Sequence, residues 1–225
     1  MSTYGNPSIV HDSSLTLSLD SGNIKSYIGS GTAWNDISGN GNNCTLVNGP
    51  TYSGTTNGGS FTFNGSNQYG TCAGTPLNVT SYTKVAWFML TSYSTNNNIV
   101  SGYNGSGGHF TYFGTGNRLL NGHSDWGSYN AYQSNTVFNL NTWYNICVTF
   151  STSNGFVLYV NGIQDSTYTT QKTQATGGYV EIGAYSGGNL LAGKMGQALI
   201  YNRVLSASEA LRIYNATRRR YDLYS

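Results

Sequence analysis

Charge is scarce in this chain. Only 8% of its 225 residues are Asp, Glu, Lys or Arg, against about 25% in ordinary globular proteins. The net charge of +2 is too small to imply nucleic-acid binding. No apolar stretch approaches the length of a membrane span. Met1 to Ser14 is polar and lacks the positive start and apolar run of a cleaved leader, so no signal peptide is expected. No G-x-S-x-G or H-E-x-x-H motif occurs. The three histidines, His11, His109 and His123, are not spaced as zinc ligands. Cysteine is an odd three with no C-x-x-C pair. Cys147, in the apolar run from Ile146 to Phe150, is expected to be a small buried hydrophobe. A Cys44–Cys72 bridge is open.

What is present is glycine, tyrosine and turn chemistry. There are 30 Gly and 19 Tyr but only 3 Pro; such aromatic content argues against disorder. Eight Asn-Gly pairs begin at Asn40, Asn48, Asn57, Asn64, Asn104, Asn121, Asn154 and Asn161. The pair is favoured where both central residues of a tight hairpin need positive φ. Between these pairs lie short strand-like runs. Leu15, Leu17 and Leu19 alternate with Thr16 and Ser18, and Phe61 alternates with Phe63. Lys84 to Leu90 and Thr142 to Phe150 read as central strands, apolar on both faces. Asn98 to Gly102, Phe110 to Phe113, Phe156 to Val160, Tyr179 to Ile182 and Gln197 to Tyr201 continue the pattern. Ser206 and Glu209 form a capping box before an apolar helical face of Ala210, Leu211, Ile213 and Tyr214. The expected fold is therefore all-β, a two-sheet antiparallel sandwich with one short C-terminal helix. It forms a single domain over 1–225, with a short N-terminal arm (about 1–12) and a basic C-terminal tail (about 217–225).

Three segments carry a family resemblance. The first is Leu17 to Asn23 with Gly31 to Asn42, Gly49 to Tyr52 and Gly59 to Phe63. The second is Trp143 to Phe150 with Leu158 to Gly162. The third is Gly193 to Gly196, then Ile200-Tyr201-Asn202-Arg203-Val204-Leu205-Ser206 and Glu209, closing on Tyr214-Asn215-Ala216-Thr217 and Arg220-Tyr221. Together they resemble the laminin-G-like, concanavalin-A-like lectin/glucanase superfamily, in the version found in bacteriophage structural proteins. The resemblance implies a jelly-roll sandwich and a non-enzymatic virion surface protein, a capsid decoration or a tail- or fibre-associated protein. It would attach to host or environmental polysaccharide, touch other virion proteins, and form a homo-oligomer. The alternatives are a purely structural virion protein and a glycoside hydrolase.

The acids oppose the last alternative. The eight are Asp12, Asp20, Asp36, Asp125, Asp165, Glu181, Glu209 and Asp222, and no two are close enough in sequence to share a face of one strand. Retaining hydrolysis needs a carboxylate pair about 5–5.5 Å apart. No catalytic residue is assigned. No metal or other cofactor is expected; Asp20 and Asp36, with Asp125, are the acids near family loops that calcium could use. Asp36 equally suits bonding to backbone amides in its own turn. Trp87 and Trp143 are expected in the core, and Trp34 at a sandwich end. Trp126 stands apart, in a polar, aromatic-rich segment from Gly122 to Tyr132. Stacking of a sugar on Trp126, Tyr129 or Tyr132, with Asp125 and His123 as polar partners, is the expected ligand site; a subunit contact is the competing reading. Five of the ten basic residues lie from Arg203 onward. Arg218, Arg219 and Arg220 are expected to dock on an acidic partner, or to be a solvated tail.

Overall fold

The computed structural model describes residues 8–54, 58–74, 76–77, 79–93, 96–103, 107–114, 116–125, 128–169 and 178–222. Seventeen strands are present among them: β1 Leu15–Asp20, β2 Ala33–Trp34, β3 Cys44–Val47, β4 Thr51–Ser53, β5 Ser60–Asn64, β6 Tyr69–Cys72, β7 Ser81–Leu90, β8 Asn97–Asn98, β9 Val100–Tyr103, β10 Gly107–Phe113, β11 Leu119–Asp125, β12 Ser128–Gln133, β13 Trp143–Ser151, β14 Gly155–Val160, β15 Ile163–Tyr168, β16 Tyr179–Ile182 and β17 Ala192–Tyr201. Two helices follow, α1 Ala207–Thr217 and α2 Arg219–Asp222. One sheet, called A, runs β15-β14-β13-β7-β17-β5-β4, with β1 also paired to β17. The other, B, runs β12-β11-β10-β9-β16-β6-β3-β2, with β8 beside β10. Every pairing is antiparallel. This is the expected jelly-roll sandwich. No described helix is long and apolar enough to cross a membrane.

Strand alternation sorts the side chains. Ala86, Phe88 and Leu90 of β7, Ile146, Val148 and Phe150 of β13, and Leu46, Val100, Phe113, Val180 and Ile182 of sheet B meet between the sheets. Sheet A is buried on its other face as well. There Val85, Cys147, Tyr159, Leu199 and Tyr201 pack with Ala210 and Ile213 of α1, and Trp87, Met89 and Trp143 pack with Tyr221. That double burial explains why β7 and β13 read as continuous apolar runs. Ser206 and Glu209 form the capping box that starts α1. Cys147 is a free, buried thiol, its pKa pushed up by burial. Cys44 and Cys72 face each other across the β3–β6 ladder and form a disulfide.

Both ends depart from the sequence reading. The residues expected to form an N-terminal arm are packed from Ile9 onward: Val10 lies in the core beneath α1, and its carbonyl accepts the Tyr201 hydroxyl at 2.7 Å. The expected basic tail is folded too. Tyr221 is fully buried and stacks on Trp87 at 4.2 Å between ring centroids. The Trp87 indole N–H donates to Thr217 Oγ1 at 2.7 Å. Gly196 makes room for this contact: a Cβ there would lie 2.4 Å from the Tyr221 hydroxyl. Arg220 donates to both carboxylate oxygens of Asp20, at 2.7 and 2.8 Å, and to the Gly58 carbonyl at 2.9 Å. It is an internal clamp, which corrects its place in the docking triplet. Arg218 caps α1 and lies over the Tyr214 ring; Arg218 and Arg219 are exposed.

The Asn-Gly pairs divide. Asn48-Gly49 and Asn161-Gly162 take positive φ at both residues, and Asn161-Gly162 turns β14 into β15. Asn154 lies in the turn between β13 and β14, where only Gly155 is left-handed. Asn121-Gly122 is no turn at all; it lies inside β11. The segment from Gly122 to Tyr132 is likewise mostly a hairpin of β11 and β12.

One core group is unexpected. Lys84, in a strand read as apolar, is 1% exposed. Its Nζ lies 3.4 Å from the Val100 carbonyl and 5.3 Å from the Tyr82 ring centroid. Tyr82 in turn meets His123 Nε2 at 2.8 Å and packs on His109. Burial lowers the Lys84 pKa from 10.5 to about 7. Between those values the unfolded chain holds a proton that the folded chain has released, so stability rises with pH across that window. Lys84→Met is expected to remove this component. The variant should gain stability over wild type most at and below pH 7, and the gain should shrink toward pH 10.5. Urea unfolding across pH checks it, and a pH-independent difference would contradict the burial of a lysine that titrates. For the C-terminal clamp, Arg220→Ala is expected to cost about 1–3 kcal/mol by leaving Asp20 without its partner, while Arg219→Ala stays within about 0.5 kcal/mol. Paired denaturation curves separate a clamp from a docking arginine.

Candidate functional site

The sequence-based site does not assemble as one surface. Trp126 lies outside the described residues. Asp125 and Tyr129 are placed by the ladder alone, Asp125 opposite Gly107 and Ser128, Tyr129 opposite Ser124. His123 is 1% exposed, bonded to Tyr82 and packed on Phe150 and Phe156. It is a core histidine, which corrects its assignment as a ligand partner. Tyr132 stacks on Tyr168 at 3.5 Å between ring centroids and packs on Phe156. It joins β12 to β15, the edge strands of the two sheets, and borders a small cavity lined by Asn121, Val148, Leu158 and Thr167. Asp165 of β15 reinforces that edge by accepting the amides of Asn135 and Thr136, at 2.7 and 2.8 Å. Tyr132 thus closes the sandwich.

The acids considered for calcium are engaged. Asp20 is held by Arg220 and accepts the Gly22 amide. Asp36 accepts the amides of Ser18, Ser38 and Asn42, at 2.8, 2.8 and 3.0 Å, and the Ser38 hydroxyl. Both carboxylates organise their own loops. Among the described residues no group of three or more His, Cys, Asp or Glu is arranged to hold a metal.

A different surface has the chemistry of a binding site: the outer face of sheet B. Val180 and Ile182 of β16 point into the core, so Tyr179 and Glu181 point outward. Tyr179 stands opposite Tyr103, and Glu181 stands opposite Ser101 on one side and Thr71 on the other. The Tyr103 ring meets Tyr179 at 6.3 Å and Tyr185 at 5.3 Å, edge to face. Tyr185 continues to Phe110 at 6.3 Å, and Phe110 to Tyr112 at 5.4 Å. Tyr179 is 40% exposed, and Tyr69, Tyr103, Tyr112 and Tyr185 are half-buried.

The loop after β16 fixes this cluster. Tyr185 and Gly188 exchange backbone hydrogen bonds at 2.8 and 3.1 Å. The Gly187 amide donates to both oxygens of Glu181, at 3.0 and 3.2 Å. Gly187 has φ +67, a conformation glycine adopts without a Cβ penalty. Gly108 lies under the Tyr185 ring, where a Cβ would come within 3.0 Å of it. Glu181 is 2% exposed. Its pKa is raised by burial, against the lowering effect of the Gly187 and Ser186 amides. The Tyr179 pKa is raised first by burial and then by the charge of Glu181. The nine strands of sheet B carry two acids, Asp125 and Glu181, and no Lys or Arg. Tyrosine faces suit the apolar side of a sugar ring, and their hydroxyls suit its hydroxyl rim. Sequence reading missed this site because its residues come from four separate segments. The one local signal was the density of Tyr and Gly from Tyr179 to Gly188.

Comparison with known proteins agrees with this architecture. No curated protein sequence matches the chain. Among solved structures, domain 4 of AbnA, a GH43 extracellular arabinanase from Geobacillus stearothermophilus in complex with arabinotriose, superposes with a TM-score of 0.68 at 15% identity, over 89% of this chain and 98% of that one. The binding domain of Paraclostridial Mosquitocidal Protein 1 gives 0.70 at 16% identity, over 90% of this chain and 52% of that one. The binding domain of Botulinum Neurotoxin DC in complex with SialylT gives 0.71 at 11%, over 91% and 51%. The chain thus spans about half the length of each toxin domain, and identities this low speak to fold alone. The family profile described as concanavalin A-like lectin/glucanases matches residues 63–210. That match, over more than half of the sequence and in keeping with the two-sheet sandwich, makes this chain a member of the concanavalin A-like lectin/glucanase superfamily.

Proposed function

We propose that this protein is a non-enzymatic carbohydrate-binding module displayed on a bacteriophage virion, as a capsid decoration or a tail- or fibre-associated protein, and that it attaches the particle to polysaccharide. The observation that carries the binding role is the tyrosine surface of sheet B, formed by Tyr103, Tyr179 and Tyr185 over Glu181. The non-enzymatic reading is supported by the placement of the acids. Asp125 and Glu181 lie on β11 and β16, three strands apart. Three strand spacings are about 14 Å, well beyond the reach of a glycosidase pair.

The virion setting rests on the sequence resemblance of the three segments together, with their ending in Tyr214-Asn215-Ala216-Thr217 and Arg220-Tyr221. The Cys44–Cys72 disulfide is in keeping with an exposed extracellular surface. The module also has two unlike sides. Exposed Arg212 of α1, Arg219 of α2 and Arg218 between them lie on the helical side that covers sheet A, away from the tyrosine face. That helical side is the candidate dock for an acidic virion protein, in a symmetric oligomer.

An array of bacterial surface polysaccharides and defined glycans tests the binding role. Wild type is expected to bind, and Tyr179→Ala to lose at least about tenfold in affinity, as expected for removal of one stacking ring. Because Tyr179 is 40% exposed, its melting temperature should change little. Silence across the array would leave a structural virion role, and binding unchanged in Tyr179→Ala would move the site off sheet B.

A further inference from the structure

The tyrosine surface has an electrostatic character that its shape alone does not convey. Glu181 is 2% exposed, and its described hydrogen-bond donors are backbone amides of the Ser186–Gly187 turn. Among the described residues no Lys or Arg forms an ion pair with it: the arginine pairs are Arg203 with Asp12 and Glu209, and Arg220 with Asp20. The charge is ringed by tyrosines. Tyr179 and Tyr103 stand beside it on the sheet, Tyr185 begins the turn that covers it, and the Tyr69 hydroxyl lies 3.8 Å from where a Cβ on Gly187 would be. The Tyr103 ring meets Tyr179 and Tyr185 at interplanar angles of 80° and 65°. The three rings therefore form a corner with faces in different directions, unlike a flat stacking platform.

Two physical effects act in one direction here. The face of an aromatic ring carries negative potential and attracts a cation within about 6 Å of its centroid. A carboxylate withdrawn from water is weakly screened and acts over a longer range than an exposed one. A neutral sugar would use the rings and gain nothing from the charge. An anionic sugar would be repelled, with no described cation on the strands of sheet B to offset that repulsion.

We infer that the corner formed by Tyr103, Tyr179 and Tyr185 over Glu181 takes the ammonium group of an amino sugar, making the module selective for glycans that carry unacetylated amines. This inference rests on the carbohydrate-binding reading of the same face and names its ligand class. The N-acetylated form of the same sugar replaces the cation with a bulkier neutral amide and loses both attractions.

The test is calorimetry on the full chain at about pH 6, where the amine is protonated. The series is matched β-1,4 oligomers of glucosamine, N-acetylglucosamine, glucose and glucuronic acid. The glucosamine oligomer is expected to bind at least about tenfold more tightly than its acetylated and hydroxyl counterparts, a difference of 1.4 kcal/mol, with the glucuronic acid oligomer the weakest. In Glu181→Gln, which keeps an acceptor for the Gly187 amide, that preference should fall to about threefold or less, because only the ring contribution remains. The wild-type series stands by itself should the variant fail to fold. Equal or reversed preference between glucosamine and N-acetylglucosamine oligomers overturns the inference and leaves the carbohydrate reading intact. Free choline binding as tightly as the glucosamine oligomer overturns it in favour of a trimethylammonium headgroup. Silence toward every sugar in this series and on the glycan array overturns both.

Discussion

A sheet in the middle of a sandwich needs cover on both faces, and in this molecule that requirement falls on sheet A. Strand β7 sits between β13 and β17 and sends Phe88 and Leu90 inward while Trp87 and Met89 face the other way. Without a second layer those outward groups would meet water. The layer is supplied by the last part of the chain. Tyr221 lies flat on Trp87, Thr217 satisfies its indole N–H, and Arg220 reaches past them to Asp20 at the end of β1. Gly196 and the register shift it introduces into β17 exist in the space this contact needs. Much of the family-like end of the sequence is thus explained by packing.

Sheet B follows the opposite plan. Its inner face completes the same core, but among the described residues no helix covers its outer face. The surface is tolerable to water because it is built from tyrosine, serine, threonine and glycine, which combine apolar area with hydroxyl groups. The low charge of the chain is therefore unevenly used. Arginine serves the helical side and the loop clamps, while the strands of sheet B retain only Asp125 and Glu181. Among the described residues, this division gives the molecule a side covered by helices and a side without helical cover.

The sequence made the fold readable where burial imposes a period. The alternating leucines of β1, the apolar runs of β7 and β13, and the Ser206 capping box each report a local constraint. It was silent where pairing is decided at a distance. β3, β6, β11, β12 and β15 are short or polar, and β11 contains an Asn-Gly pair that suggested a turn. Lys84 was hidden by its apolar neighbours. Arg220 looked solvated because its partner, Asp20, is 200 residues away. The aromatic segment around Trp126 drew attention because its residues are adjacent in sequence. Tyr69, Tyr103, Tyr179 and Tyr185 become a group only once β6, β9 and β16 lie side by side.

The contact between Arg220 and Asp20 is one of several that join distant parts of the sequence. β1 pairs with β17, and Tyr221 covers β7, so both strands are completed by residues far along the sequence. Three of the strand pairings are made by β17, with β1, β5 and β7, so the centre of sheet A stays open until that strand is in place. Folding dominated by such distant contacts is intrinsically slow. The exposed sheets of a partly folded chain are also the species that most readily associate with copies of themselves.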